Sequence, residues 1–143
     1  MEQVEKVVVY ITRNDELLVF RHKDYPNAGI QVPSGTVQDG ETPIQAAFRE
    51  VFEETCLKNL NFKSYLGDDL FDSTSIGNDK LYHRHFFHLE CHDAPLEWTH
   101  FEKNPSEGPK EPICFEFYWA NLNNMPNLAG EQGKMISRIG VFK

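Results

Sequence analysis

Glu50, Glu53 and Glu54 stand at i, i+3 and i+4 within the stretch Gly35 to Leu57. On a helix this spacing puts all three carboxylates on one face. Like charges placed side by side repel and destabilise a bare helix. A hard divalent cation is the usual compensation, and such ions sit on substrate phosphates. The chain is therefore expected to hold Mg2+ or Mn2+.

The flanking residues place this cluster on a helix. Thr42 suits the N-cap, Pro43 the first helical position, and Gln45 completes a capping box. Ile44, Ala47, Phe48 and Val51 recur at helical spacing and form an apolar stripe. The acidic face lies beside that stripe, so one side of the helix packs while the next faces a cleft. Arg49 is within i,i+4 reach of Glu53. Ahead of the helix, Pro33, Ser34, Gly35 and Gly40 frame a loop whose glycines permit turns that other residues resist.

This order of residues resembles the Nudix box, in which glycine, glutamate, arginine-glutamate, a glutamate pair, a late glycine and an apolar residue follow at fixed spacing. Gly35, Glu41, Arg49, Glu50, Val51, Glu53, Glu54 and Leu57 occupy that pattern. Cys56 stands where the family has its late glycine, and Ser34 where it usually has the first of two. A glycine at position 56 would end the helix with positive φ. Cysteine in that conformation costs about 1–2 kcal/mol, so a different helix end is the alternative.

The resemblance implies an α+β fold, the Nudix-type α/β/α sandwich with a mixed β-sheet between helices. It also implies that Glu50, Glu53 and Glu54 ligate or orient divalent metals, with the carbonyl of Ser34 or Gly35 as a further ligand. Arg49 would hold the acids by ion pairing, and Glu41 would support it. Family members differ in the general base, so Glu50 or Glu53 could serve, or a later residue, Glu116 or Glu111. Glu116 lies among Phe115, Phe117, Tyr118 and Trp119, in a stretch suited to a buried strand. A carboxylate there needs a partner, a metal or a base role, unless it faces water from an edge strand.

The 143 residues fit one domain spanning 1–143. The net charge of −8 argues against a general nucleic-acid binder, so no nucleic-acid polymer is expected as a partner. It leaves a small-molecule nucleotide open, because bound metal inverts the local field. No apolar run approaches the roughly 20 residues that span a bilayer. Met1 is followed by Glu2, Gln3 and Glu5, so no signal peptide is visible. Cys56, Cys91 and Cys114 are odd in number and lack metal spacing, which fits a reduced, cytoplasmic setting. The oligomeric state is left open, a dimer included.

The rest of the chain reads as strands around the central helix: 4–12, 16–22, 30–32, 60–70, 80–91 and 113–121. Residues 24–29 read as a loop and 73–79 as a polar turn. A long connection over 92–112 carries prolines at 95, 105, 109 and 112. Leu128 to Arg138 reads as a closing helix despite Gly130 and Gly133.

Other residues could contact a substrate. Arg21, His22 and Lys23 end the second strand near the expected cleft and suit phosphate. His83 and His85 share a strand face and suit phosphate or metal, or are simply half-exposed strand residues. Arg84 points the other way. Tyr25, Phe71, Tyr82 and Trp98 could stack on a base, or pack in the core or at its rim.

The leading expectation is a metal-dependent pyrophosphohydrolase that cleaves the diphosphate bond of a nucleoside diphosphate linked to another moiety. The alternatives are a nucleoside triphosphate pyrophosphohydrolase of the MutT housecleaning type, and a non-catalytic nucleotide-binding module. The complete acid set speaks against the last of these.

Overall fold

A computed structural model of the chain describes residues 1–102 and 112–140. Among the described residues, eight strands form one mixed sheet: β1 (Gln3–Arg13), β2 (Glu16–His22), β3 (Ile30–Gln31), β4 (Ser34–Thr36), β5 (Asn61–Asp72), β6 (Leu81–Glu90), β7 (Glu97–Glu102) and β8 (Ile113–Asn121). Their order is β5-β6-β1-β2-β8-β7, with β3 beside β2 and β4 beside β1. Strands β1 and β6 run parallel; the other pairs are antiparallel. Helix α1 (Pro43–Thr55) covers one face, and a 3₁₀ segment, Ala129–Arg138, covers the other. This is the expected sandwich.

Alternation along β1 divides the core. Val7, Val9 and Ile11 pack with Ala46, Ala47 and Val51 of α1. Val8 and Tyr10 pack with Phe86 and Met135 on the opposite side. Tyr10 is fully buried, and its hydroxyl donates to the Gln132 carbonyl and accepts from Met135 N at 3.1 Å. Burial pushes that phenol up to about 12.

Two segments read as irregular are strands. Ser34–Thr36, inside the expected glycine loop, pairs with Lys6–Val8 of β1. Glu97–Glu102, inside the expected connection over 92–112, pairs with β8. Trp98 Nε1 of β7 donates to the Thr55 carbonyl at 3.2 Å, and His100 Nε2 lies 2.7 Å from that of Glu53. Strand β7 thus satisfies carbonyls that α1 leaves open at its C-terminus. Pro26–Ala28, read as loop, is a short 3₁₀ turn. The closing helix is 3₁₀ rather than α, because Gly130 (φ 58) and Glu131 (φ 54) take left-handed conformations that break it.

Strand β5 carries an irregularity at Gly67 (φ 120), where the pairing with β6 shifts between Tyr65 and Gly67. A Cβ at Gly67 would lie 2.5 Å from Arg138 Nη1, and Arg138 donates to the Leu66 carbonyl at 2.8 Å. Beyond the shift, the regular alternation of the strand turns Asp68 to His83 and Asp69, next in sequence, to Arg84.

Helix α1 begins as the sequence predicts. Gln45 N donates to Thr42 Oγ1 at 3.3 Å, and Thr42 N donates to Gln45 Oε1 at 2.9 Å. It ends on Cys56, which does adopt the left-handed conformation (φ 65). Glycine would relieve about 1–2 kcal/mol of strain there, and would cost less than that in unfolded-state entropy. Cys56→Gly is expected to stabilise the protein by about 1 kcal/mol, seen as a Tm rise of about 2–4 °C by calorimetry. An unchanged or lower Tm would contradict it.

Candidate active site

Strand β1 pairs with β2 only at its C-terminal end, through Thr12 and Arg13. Towards its N-terminus the two strands part, and β4 fills the place beside β1. The cleft of about 250 Å³ that opens here is lined by Lys6, His22, Ser34, Gly35, Glu50, Glu54, Phe71, Tyr82, Arg84, Phe115 and Gln132, among others. It has an aromatic wall on either side of β1, Phe71 and Tyr82 on one and Phe115 on the other.

Glu50 and Glu54 of α1 reach this cleft over β4, and Glu53 lies beside them, joined to Glu50 through Arg49. Glu50 and Glu54 are buried, while Glu53 is partly exposed. Ser34 N donates to Glu54 Oε1 at 3.1 Å. A Cβ at Gly35 would fall 2.0 Å from Glu50 Cδ, so only glycine admits that carboxylate. Arg49 binds the group from the side. It donates to Glu41 at 2.7 and 2.9 Å, to Glu50 and Glu53 at 2.8 Å each, and to the Thr36 carbonyl at 2.9 Å. Hydrogen bonds to Glu41 above all hold Arg49 further above its ordinary value. The same bonds hold Glu41 below the usual carboxylate range.

The structure thus brings Glu41, Arg49, Glu50, Glu53, Glu54, Ser34 and Gly35 together. It places Glu116 differently. Glu116 on β8 stands opposite Arg21 on β2, with 3.7 Å between Arg21 Nε and Glu116 Oε1. Both side chains are about half exposed, and neither they nor Lys23 line the cleft. Glu111 lies outside the described residues. Of the residues that end β2, His22 is the one that faces the cleft. Among the described residues, its Nδ1 is the buried side-chain polar atom without a hydrogen-bond partner. Burial also lowers its basicity. Trp98 stacks on Phe117 at 4.9 Å in the core, and Tyr25 edges against His22.

Several cleft residues were not candidates in the sequence. Lys6 Nζ donates to Thr36 Oγ1 at 2.8 Å and sits 4.5 Å above the Tyr82 ring. Gln132 accepts from Val32 N at 2.9 Å through Oε1. Arg84 is buried and donates to Asp69 at 2.9 and 2.7 Å and to the Gly130 carbonyl at 2.6 Å. These residues lie far from the acids in sequence; only strand order gathers them.

The acidic side chains that line the cleft, Glu50 and Glu54, offer oxygen donors. Carboxylate oxygens fit a hard cation such as Mg2+ or Mn2+.

A family model described as NUDIX domain matches residues 2–139. The NAD-capped RNA hydrolase NudC of Edwardsiella ictaluri (strain 93-146) is 45% identical over 58 residues, which is 39% of this chain and 23% of that protein. The RNA pyrophosphohydrolase of Tolumonas auensis (strain DSM 9187 / NBRC 110442 / TA 4) is 47% identical over 51 residues, 36% of this chain and 28% of that protein. The matches therefore span under a third of those relatives, and their RNA-directed names run against the expectation of no nucleic-acid polymer. A MutT NUDIX hydrolase from Burkholderia pseudomallei has the same fold, with TM-score 0.62 at 17% identity over 98% of this chain and 100% of that one. Among the described residues, no helix is long and apolar enough to cross a membrane.

Proposed function

This chain belongs to the NUDIX domain family, and from that premise we propose that it is a divalent-metal-dependent pyrophosphohydrolase of a nucleoside diphosphate linked to another moiety. The observation that carries the reading is the convergence of buried Glu50 and Glu54 on the backbone of Ser34 and Gly35 at the cleft. Glu50, Glu53 and Glu54, with a carbonyl of Ser34 or Gly35, would hold Mg2+ or Mn2+. When bound, such an ion neutralises phosphate oxygens and makes a bound water more acidic.

The chain's own residues do the rest. Arg49 fixes Glu50 and Glu53 in one orientation and limits their mutual repulsion. Glu53, the most exposed of the three acids, would take the proton of the attacking water. Gly35 leaves room for the Glu50 carboxylate against β4. The aromatic walls suit the flat face of a base.

Glu116→Gln is expected to leave kcat and KM near parental values, because Glu116 pairs with Arg21 away from the cleft. A steep loss in kcat with a changed acidic limb of the pH–rate profile would return Glu116 to the role of base.

A second reading, removal of a cap or pyrophosphate from RNA 5′ ends, rests on the names of the two relatives. A panel of nucleoside diphosphate derivatives, dinucleoside polyphosphates, nucleoside triphosphates, NAD-capped RNA and 5′-triphosphate RNA, with products resolved under Mg2+ and Mn2+, separates the readings. Nucleoside monophosphate from a diphosphate derivative is expected. Preferred cleavage of triphosphates or RNA would replace that substrate class, and binding without turnover would remove the enzymatic reading.

A further inference from the structure

The face of β6 turned away from Tyr82 and Arg84 carries a second set of ligating side chains. His83 and His85 share it, with ring centroids 4.4 Å apart. Glu5, on the neighbouring strand β1, is the cross-strand partner of His83. Its Oε1 lies 2.8 Å from His83 Nδ1 and 3.1 Å from His85 Nε2. One ligand atom from each residue can be chosen so that all lie within 4.8 Å of one another. None of the three lines the cleft.

The far side of each ring is held as well. His83 Nε2 lies 2.6 Å from Asp68 Oδ2, and His85 Nδ1 lies 3.0 Å from the Tyr65 hydroxyl. A histidine that gives one nitrogen to a metal usually anchors the other on a carboxylate or similar group, which fixes ring and tautomer. Both rings have that arrangement, and both inner nitrogens face the same carboxylate oxygen. A simple ion pair needs no such outer anchors on two rings at once.

We propose that Glu5, His83 and His85 bind a borderline transition-metal cation, Zn2+ in the first instance, at a site separate from the α1 acids. Two imidazoles and a carboxylate form a zinc donor set, with a fourth position left for water. Mg2+ favours oxygen ligands and competes poorly for nitrogen. The Glu5 side chain is 44% exposed, which gives an ion a way in. Asp68 and Tyr65 act as positioning residues.

Calorimetric titration of the purified chain with Zn2+, in buffer saturating in Mg2+, tests this. One Zn2+ per chain is expected to bind. His83→Gln and His85→Gln should each weaken binding at least as much as Asp68→Asn, for which a loss of about 10- to 100-fold is expected although Asp68 is not a ligand. Glu53→Gln should bind Zn2+ as the parent does. No Zn2+ binding by the parent, parental binding by the histidine variants, or loss of binding in Glu53→Gln would each overturn the site. Should a histidine variant not fold, Co2+ added to the parent under the same Mg2+ decides. Intense visible absorption from a four-coordinate nitrogen and oxygen site is expected, and only the weak spectrum of hydrated Co2+ would overturn it.

Discussion

Glu53→Gln and Glu54→Gln are each expected to retain the fold and lower kcat by about 10²- to 10⁴-fold, the range for removing a positioned proton acceptor or its equivalent. The fold should survive because the amide keeps the acceptor each contact uses. An amide oxygen at position 54 can still accept from Ser34 N, as Glu54 does at 3.1 Å, and one at position 53 from Arg49, as Glu53 does at 2.8 Å. What is lost is charge, which a hard cation and a water proton both need. Turnover of the best substrate, measured beside far-UV circular dichroism, checks the kinetics. Melting with Mn2+ checks the site independently. A ligand at 100 times its Kd stabilises by about 2.7 kcal/mol, so the parental Tm should rise, and the rise should shrink in Glu54→Gln. Parental turnover in both variants would sink the catalytic assignment. Equal metal-induced rises would place the ion elsewhere.

Arg84→Met should destabilise the protein by about 3–5 kcal/mol, a large share of the roughly 5–15 kcal/mol that holds a domain together. Arg84 and Asp69 form a buried bidentate pair; their side chains are 5% and 6% exposed. Without the guanidinium, Asp69 keeps Lys134 at 3.2 Å, and the Gly130 carbonyl loses its donor. Because Gly130 and Glu131 form the left-handed break in the 3₁₀ segment, the wall of the cleft should loosen with it. Urea unfolding measures the loss. Removing both charges in Arg84→Met/Asp69→Leu should recover much of it, since a buried pair replaced by apolar groups is often nearly neutral. A double variant as unstable as the sum of the singles would contradict this account. The sign with pH follows. Burial raises the Asp69 carboxyl, but hydrogen bonds and charge from Arg84, with help from Lys134, outweigh it and hold it below the ordinary value. Its contribution is therefore present above the unfolded carboxylate value near 4 and is lost as pH falls through the lower folded one.

What could be read in the sequence follows the range of the interactions. The start of α1 was legible because a capping box and an apolar stripe are written within one or two turns. The grouping of Arg49 with the acids followed from the same short spacing. Strand β4 was not legible, since its place beside β1 is set by pairing across the chain and its glycine spoke for a loop. Strand β7 was hidden among prolines and acquires order by pairing with β8 and covering the end of α1. Lys6, Arg84 and Gln132 belong to the cleft through sheet order and the closing segment, which no local pattern records. Glu116 drew attention as an acid among aromatics; in the sheet it stands opposite Arg21 of the next strand, a neighbour no local pattern records.

The extra residue that β5 carries between Tyr65 and Gly67 has a consequence for how this protein can vary. Adjacent aspartates normally serve opposite faces of a strand, and here each meets a different basic partner, His83 for Asp68 and Arg84 for Asp69. A one-residue deletion at Gly67 would exchange inside and outside for whichever flank of β5 moved. Both aspartates would forfeit their partners, or Leu66, now buried, would trade the core for solvent. Length at this point is therefore a shared inheritance of two otherwise independent surfaces. Substitutions can tune either one alone, but an indel here must be answered on both sides of the sheet.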